Sequence, residues 1–149
     1  MKLISSLTLA LVLFFVSTAH AELGSFPLIS SATLTIRAIS RLPSPKPTLY
    51  SIRKLVTSDD IEIHEFVLPS NVVFALSWQG STKPDMRVLL GAYFSRYADE
   101  LSRPAAGRMP VAIQETNLVI QTGGRMNQFF GLAFVPTMAP NGVQISEIR

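Results

Sequence analysis

The sequence predicts an α+β fold: an antiparallel sheet, made of an N-terminal three-stranded meander and a C-terminal hairpin, with one amphipathic helix packed on one face. Three segments of the 149-residue chain indicate this class. Residues Val72–Trp78 alternate large and small apolar side chains, as a central strand does. Residues Lys83–Leu101 repeat apolar positions at spacings of three and four, which is typical of an amphipathic helix. Residues Met126–Val135 alternate again and predict a second uncharged strand.

The N-terminus predicts export. Lys2 precedes an uncharged, mostly apolar run at Leu3–Val16, and Ala19 and Ala21 occupy the minus-three and minus-one positions of a cleavage site after Ala21. This is the pattern of a secretory signal peptide over residues 1–21. The run is shorter than the about 20 apolar residues that a membrane-spanning helix needs. We therefore expect a periplasmic or secreted protein with no membrane span after signal removal.

Residues 22–48 are interpreted as a variable N-terminal arm and residues 49–149 as a single α+β domain. The arm contains one alternating piece, Ala32–Ala38, which favours an edge strand. It ends at Leu42–Thr48, where three prolines within five residues indicate an extended linker.

The predicted meander consists of Leu49–Val56, Ile61–Leu68 and the strand that ends at Trp78. In its middle strand the apolar positions change parity near His64 and Glu65, which predicts a β-bulge.

The predicted helix has recognisable ends. Thr82 is the expected N-cap, and Pro84 lies in the first turn, where its missing N–H costs nothing. Gly91 falls inside the helix and predicts a close approach of helix and sheet. Pro104 and Gly107 are expected to end it.

The C-terminal hairpin is predicted from strands at Val111–Gln114 and Asn117–Thr122, a turn at Gly123-Gly124, and the strand Met126–Val135. Both faces of this last strand are apolar, whereas a single helix covers one face of a sheet. The second face is covered either by the arm at Phe26–Ile39 or a packed sheet, or else by a partner chain or ligand.

Composition excludes several classes of function. The chain has no cysteine, which excludes a disulfide framework, a thiol nucleophile and thiolate zinc sites. The formal net charge of +3 falls to +2 without Lys2, and the basic residues are scattered apart from Arg53-Lys54, so we expect no nucleic-acid surface. Phosphate-loop, nucleophile-elbow and zinc-protease motifs are absent, and neither a cofactor nor a metal is predicted.

One cluster of titratable residues suits acid–base chemistry. His64 is the only histidine after signal removal, and alternation places it on the same side of a strand as Glu62. Glu65 is the second candidate carboxylate. The competing interpretation is a solvated hairpin end.

A ligand or partner surface is predicted from five other residues. Trp78, at the end of its strand, is a candidate for a partly exposed ring, with core packing as the alternative. Gly123 and Gly124, helped by the Arg125 guanidinium, are candidates for a backbone nest that binds an anion, with a simple hairpin turn as the commoner interpretation. Phe129 lies on the last strand, where apolar surface is in surplus.

These residues resemble a family of small exported bacterial proteins known only as domain of unknown function 2844. The resemblance rests on the following matches: Leu23-Gly24, the run Val72–Gly80, Pro84-Asp85, Leu89–Gly91, Gly123–Met126, Phe129, Gly131, Ala133, Pro136, Pro140, Gly142 and Glu147-Ile148. The chain departs from the family at Ser81, where proline is usual, and at Asn127 and Leu132, where arginine is usual; the missing arginines argue against an anion site. The resemblance implies export and this fold, and it identifies no catalytic residue.

The leading functional hypothesis is a non-catalytic binding or assembly module of the cell envelope, whose partner is an envelope protein or a small ligand. One alternative is a small periplasmic hydrolase or lyase that uses His64 with a nearby carboxylate. Another is an inhibitor of an envelope-acting enzyme, which would present a rigid loop at Pro69–Asn71 or Gly123–Arg125.

Overall fold

The computed structural model describes residues 23–24, 34–103 and 110–148. The predicted signal peptide with its cleavage residues Ala19 and Ala21, residues 25–33 of the predicted arm, and the helix-ending Pro104 and Gly107 lie outside the described residues.

The described residues form one antiparallel sheet of seven strands, in the order β1-β2-β3-β4-β7-β6-β5. The strands are β1 Ile36–Leu42, β2 Ser51–Thr57, β3 Glu62–Val67, β4 Val73–Gly80, β5 Ala112–Gln114, β6 Val119–Arg125 and β7 Gln128–Phe134. The predicted meander corresponds to β2, β3 and β4, and the α+β class is confirmed. The C-terminal hairpin joins the meander through β7, which pairs with both β4 and β6.

The sheet begins inside the segment that the sequence assigns to the arm. β1 pairs with β2 from Ile36 opposite Thr57 to Leu42 opposite Ile52. Residues 37–41 are exposed, because β1 lies at the edge of the sheet. The proline-rich segment after Leu42 therefore connects two neighbouring strands.

The helix begins three residues later than predicted and is interrupted. Asp85, and not Thr82, is the N-cap, because its carboxylate accepts a hydrogen bond of 2.9 Å from the Arg87 backbone N–H. Gly91 has a φ of 50°, a backbone conformation that ends the first helical segment and favours glycine. The helical segments are α1 Met86–Leu90, a 3₁₀ turn at Gly91–Tyr93, and α2 Phe94–Leu101.

Different parts of the chain cover the two faces of the sheet. On one side, which we call the helix face, the helical segments bury a core that includes Leu76, Leu89 and Leu90. On the other side, which we call the C-terminal face, Val143 and Ile148 pack into a second core. The C-terminal segment 136–148 thus takes the role predicted for the arm or a packed sheet.

The core of the C-terminal face is aromatic. The rings of Tyr50, Phe66 and Phe134 surround Phe74, with centroid separations between 5.6 and 6.3 Å. These are the distances at which aromatic pairs stabilise a core beyond their buried area. The C-terminal segment is also held by Glu147, whose Oε1 lies 2.8 Å from Lys46 Nζ.

The predicted bulge near His64 and Glu65 is wrong. β3 alternates without interruption, with Ile63 in the helix-face core and Phe66 in the C-terminal core. Both faces of β3 are buried: Ile63 packs in the core beneath the helical segments, and Phe66 packs in the core beneath the C-terminal segment. The apolar positions therefore change parity without a kink in the strand. The register instead shifts between Phe66 and Val67, and the extra residue is Phe74 in β4.

The predicted turn at Gly123-Gly124 is also wrong. Both glycines lie within β6, opposite Phe130 and Phe129 of β7. The chain reverses three residues later, at Met126 and Asn127, and Asn127 adopts the left-handed conformation that the turn requires, with a φ of 63°.

Candidate functional site

A groove of about 770 Å³ opens on the C-terminal face. It is lined by residues of β3, β4, β5, β6 and β7 and by Ile148, the last described residue of the C-terminal segment. The groove therefore runs across the strands and begins beside the segment that covers the rest of this face. Its surface is mostly apolar with a few polar side chains, which is the usual composition of a ligand site.

Glu62, His64 and Ser77 form the polar part of this groove. Alternation in β3 places Glu62 and His64 on one face, and the register sets His64 opposite Ser77 of β4. His64 Nε2 lies 2.8 Å from Glu62 Oε1, and Lys54 Nζ lies 2.5 Å from Glu62 Oε2. This geometry suits proton transfer or the orientation of a polar ligand.

The carboxylate of Glu62 is ionised at neutral pH. The hydrogen bond from Lys54 is the largest influence and lowers the pKa of Glu62. Partial burial opposes this effect, and the contact with His64 adds to it.

Phe130 forms the aromatic part of the groove. Its side chain is 57 % exposed, although it projects from a strand that is paired on both sides. The ring lies against Gly123 of β6, where a Cβ atom would come within 2.7 Å of Phe130 Cζ. Because Gly123 has no side chain, the Phe130 ring packs directly against the sheet and borders the groove.

A second compartment of about 530 Å³ adjoins the first and shares Glu62, Gln79 and Phe130 with it. It extends toward the β6–β7 turn. The remaining described residues that line it are Asp60, Gly80, Asn127, Gln128 and Phe129. Together the two compartments make one elongated depression, centred on Glu62, Gln79 and Phe130 of the C-terminal face; the Phe129 side chain points to the opposite face of the sheet.

The structure brings some of the predicted site residues together and separates others. Trp78, Gly123 and Gly124 border the first compartment, with Trp78 itself only 4 % exposed. Phe129 borders the second compartment. Arg125 is exposed and borders neither compartment.

Glu65 lies apart from His64. It faces the helix face, where its Oε2 is 2.7 Å from Arg53 Nη2 in a buried ion pair. Of the two predicted carboxylates, only Glu62 therefore shares the groove with His64.

Sequence reasoning missed Ser77, Gln79, Gln121 and Phe130. In β4, the side chains of Ser77 and Gln79 point to the face opposite that of Leu76 and Trp78. Alternation in the sequence therefore indicates that Ser77 and Gln79 share one face of the sheet. Ser77 and Gln79 lie near Phe130 because β7 pairs with β4, and no local sequence pattern indicates this pairing. Gln121 in turn reaches the groove because β6 pairs with β7.

The described residues contain no group of three or more histidine, cysteine, aspartate or glutamate side chains that could hold a metal ion. Within the same residues, no helix has the length and apolar character to cross a membrane.

The fold and the groove define an α+β protein whose antiparallel sheet is covered by a helix on one face and half covered by its own C-terminal segment on the other. A family model described as "Protein of unknown function (DUF2844)" matches residues 19–148, and the chain belongs to this family. The resemblance seen in the sequence is thereby confirmed. No match was found among curated proteins or among solved structures.

Proposed function

We propose that the protein is an exported, non-catalytic binding module of the cell envelope and that its ligand occupies the groove on the C-terminal face. The observation that carries this proposal is the exposed Phe130 ring beside a mostly apolar groove floor. The C-terminal segment buries the surplus apolar surface of β7 at Phe134 and leaves it open at Phe130. A protein that exposes an aromatic ring in a concave site has the features of a binding protein.

The two described residues that follow the predicted cleavage site are anchored in the fold. Leu23 is buried in the helix-face core, and its backbone N–H donates to the Leu89 carbonyl at 3.3 Å. The Gly24 N–H donates to the Val73 carbonyl at 2.8 Å. A mature chain that starts at Glu22 keeps both anchors, so cleavage after Ala21 is compatible with a complete core.

Native mass spectrometry of the mature protein, Glu22–Arg149, recovered from its own cell envelope tests this proposal. Ala112 is exposed on β5 and lines the groove, whereas Ala92 is exposed on the helix, across the sheet. We expect a retained mass on the wild type and on Ala92→Trp, and its loss from Ala112→Trp, because the indole fills the groove. A bare wild-type polypeptide, or equal retention by both variants, would contradict the proposal.

The second candidate is a hydrolase or lyase, and a specific contact favours it. His64 Nε2 and Glu62 Oε1 are 2.8 Å apart at the surface of the groove, as a general acid–base pair requires. The inhibitor alternative keeps one of its two candidate loops: Gly123–Arg125 belongs to the paired strand β6, whereas Pro69–Asn71 is an exposed turn between β3 and β4.

The same mass measurement separates catalysis from binding. If His64 transfers protons in a bond-breaking step, His64→Ala should retain a larger, uncleaved ligand than the wild type does. If the site only binds, both proteins should retain the same mass. Equal masses would therefore exclude this candidate for the retained ligand.

A further inference from the structure

We propose that the groove binds a linear, uncharged saccharide chain. This inference rests on the proposed binding function and names the class of ligand. The depression combines the Phe130 ring with a row of carboxamide and carboxylate residues, namely Gln79, Gln121, Asn127, Gln128, Asp60 and Glu62. Planar side chains of this kind hydrogen-bond pairs of neighbouring hydroxyl groups, and aromatic rings pack against the C–H face of a sugar ring.

The shape of the depression indicates an elongated ligand. The compartments of about 770 and 530 Å³ are continuous through Glu62, Gln79 and Phe130. The path leads from Ala112 on β5 to Asn127 in the β6–β7 turn. A chain of several sugar rings lying across the strands would use its whole length, with Phe130 at the middle.

Charge argues against an ionic ligand. Asp60 is paired with Arg37, whose Nη2 lies 2.6 Å from Asp60 Oδ1, and Glu62 is paired with Lys54 and His64. The negative charges of both carboxylates are therefore balanced by side chains of the protein. The carboxylates can accept hydrogen bonds from a ligand and do not require a bound cation. No lysine or arginine is among the described residues that line either compartment, so an anion has no counter-ion there.

Backbone pairing argues against a peptide ligand. β6 is paired by β5 on its outer edge only from Val119 to Gln121, whereas β3, β4 and β7 beneath the depression are paired on both sides. Their N–H and C=O groups are consumed by the sheet, and a peptide cannot add to the floor as another strand. A purely apolar ligand would suit the first compartment and make no use of the carboxamides of the second compartment.

The test is a titration of the ¹⁵N-labelled mature protein with three hexasaccharides: α-1,4-linked glucose, β-1,4-linked glucose and β-1,4-linked N-acetylglucosamine. We expect one of them to shift the amide resonances of Gln79, Gly123, Gln128 and Phe130, with a dissociation constant of about 1 mM or lower. Sodium decanoate serves as the apolar comparison ligand.

Matched variants localise the binding. Phe130→Ala should weaken saccharide binding about tenfold, because it removes the central aromatic contact. Met126→Ala should leave binding unchanged, because Met126 is 91 % exposed and borders neither compartment. Gln128→Ala removes an exposed polar group without touching the core and should weaken binding about fivefold.

Each other outcome overturns the inference. If no hexasaccharide shifts these resonances but decanoate does, and Ala112→Trp abolishes that shift, the groove binds an apolar ligand and the proposed function stands without the saccharide. If neither class binds and the native mass spectrum shows a bare polypeptide, the proposed function fails as well. Equal saccharide binding by Phe130→Ala and Met126→Ala would place any saccharide site elsewhere.

Discussion

At the scale of single residues, β3 sends its charged side chains to opposite faces of the sheet. Glu62 and His64 reach the groove, and Glu65 reaches the helix face, where it meets Arg53. A one-residue step along a strand reverses the side-chain direction, so neighbouring acids have unrelated environments. Glu62 therefore belongs to the groove, and Glu65 belongs to the packing of the other face.

Glu62→Gln should change the pH dependence of stability. Because the pKa of Glu62 is lower in the folded protein, chiefly through Lys54, ionised Glu62 favours folding above its unfolded value of about 4.3. That contribution is lost as the pH falls through the folded value. In urea titrations between pH 7 and pH 3, the free energy of unfolding of the wild type should decline more steeply than that of the variant.

Asp59→Asn, in the exposed turn between β2 and β3, is the control for removing one carboxylate. Parallel pH profiles for the wild type and Glu62→Gln would show that the contacts of Glu62 with Lys54 and His64 do not contribute to stability.

Leu23→Ala should destabilise the mature protein by about 2–5 kcal/mol, because the side chain is 1 % exposed and leaves a cavity beneath the helix. Leu101→Ala, where the side chain is 37 % exposed, should cost much less. Urea denaturation of both variants measures the difference. A loss below about 1 kcal/mol for Leu23→Ala would mean that the N-terminal anchor is not part of the folded core.

At the scale of elements, the β6–β7 hairpin is built from glycines that receive aromatic rings. Three glycines each face a ring across the strands: Gly123 faces Phe130, Gly124 faces Phe129, and Gly131 faces Trp78. The missing side chains let the rings lie close to the backbone. Gly123 therefore shapes the groove, whereas Gly124 and Gly131 receive rings on the helix face. The turn position predicted for the glycines of β6 is taken by Asn127.

Gly131→Ala should destabilise the protein by about 1–3 kcal/mol, because the added methyl would overlap the Trp78 indole and approach the Gln121 carbonyl oxygen to 2.7 Å. Trp78→Phe should relieve part of the overlap, so the double variant should be more stable than the sum of the single changes predicts. Thermal or urea unfolding of the four proteins measures this coupling. Strictly additive losses would contradict direct contact between the two side chains.

At the scale of the whole molecule, the C-terminal segment decides how much of the C-terminal face stays open. It covers Phe66, Phe74 and Phe134 through Val143 and Ile148 and stops where the groove begins. The ion pair between Lys46 and Glu147 connects this segment to the proline-rich connection between β1 and β2. The C-terminal segment thereby completes the core and forms one end of the candidate site.

Ile148→Ala should cost about 2–5 kcal/mol and increase binding of an apolar fluorescent dye, because Ile148 is fully buried against the aromatic core at the end of the groove. Ile145→Ala, at a partly buried position of the same segment, should have a smaller effect on both. Urea denaturation and dye fluorescence are the two measurements. Equal effects would mean that the segment packs without a defined anchor at Ile148.

The sequence by itself determined the class of the fold and most of its elements. Alternation identified β2, β3 and β4, and helical spacing identified the segment up to Leu101, because these periodicities are properties of a few consecutive residues. Alternation alone likewise placed Glu62 and His64 on one face of their strand. The absence of cysteine excluded thiol chemistry outright.

Only the tertiary structure decided which surfaces meet. The insertion of β7 between β4 and β6 brings Phe130 within the same groove as Gln79 and Glu62, and the course of the C-terminal segment determines where that groove begins. Strand order is set by contacts between residues far apart in sequence, and no local pattern encodes the pairing of β4 with β7. The same reason explains why the glycines of β6 suggested a turn: their partners, Phe129 and Phe130, are defined only once the strands are paired.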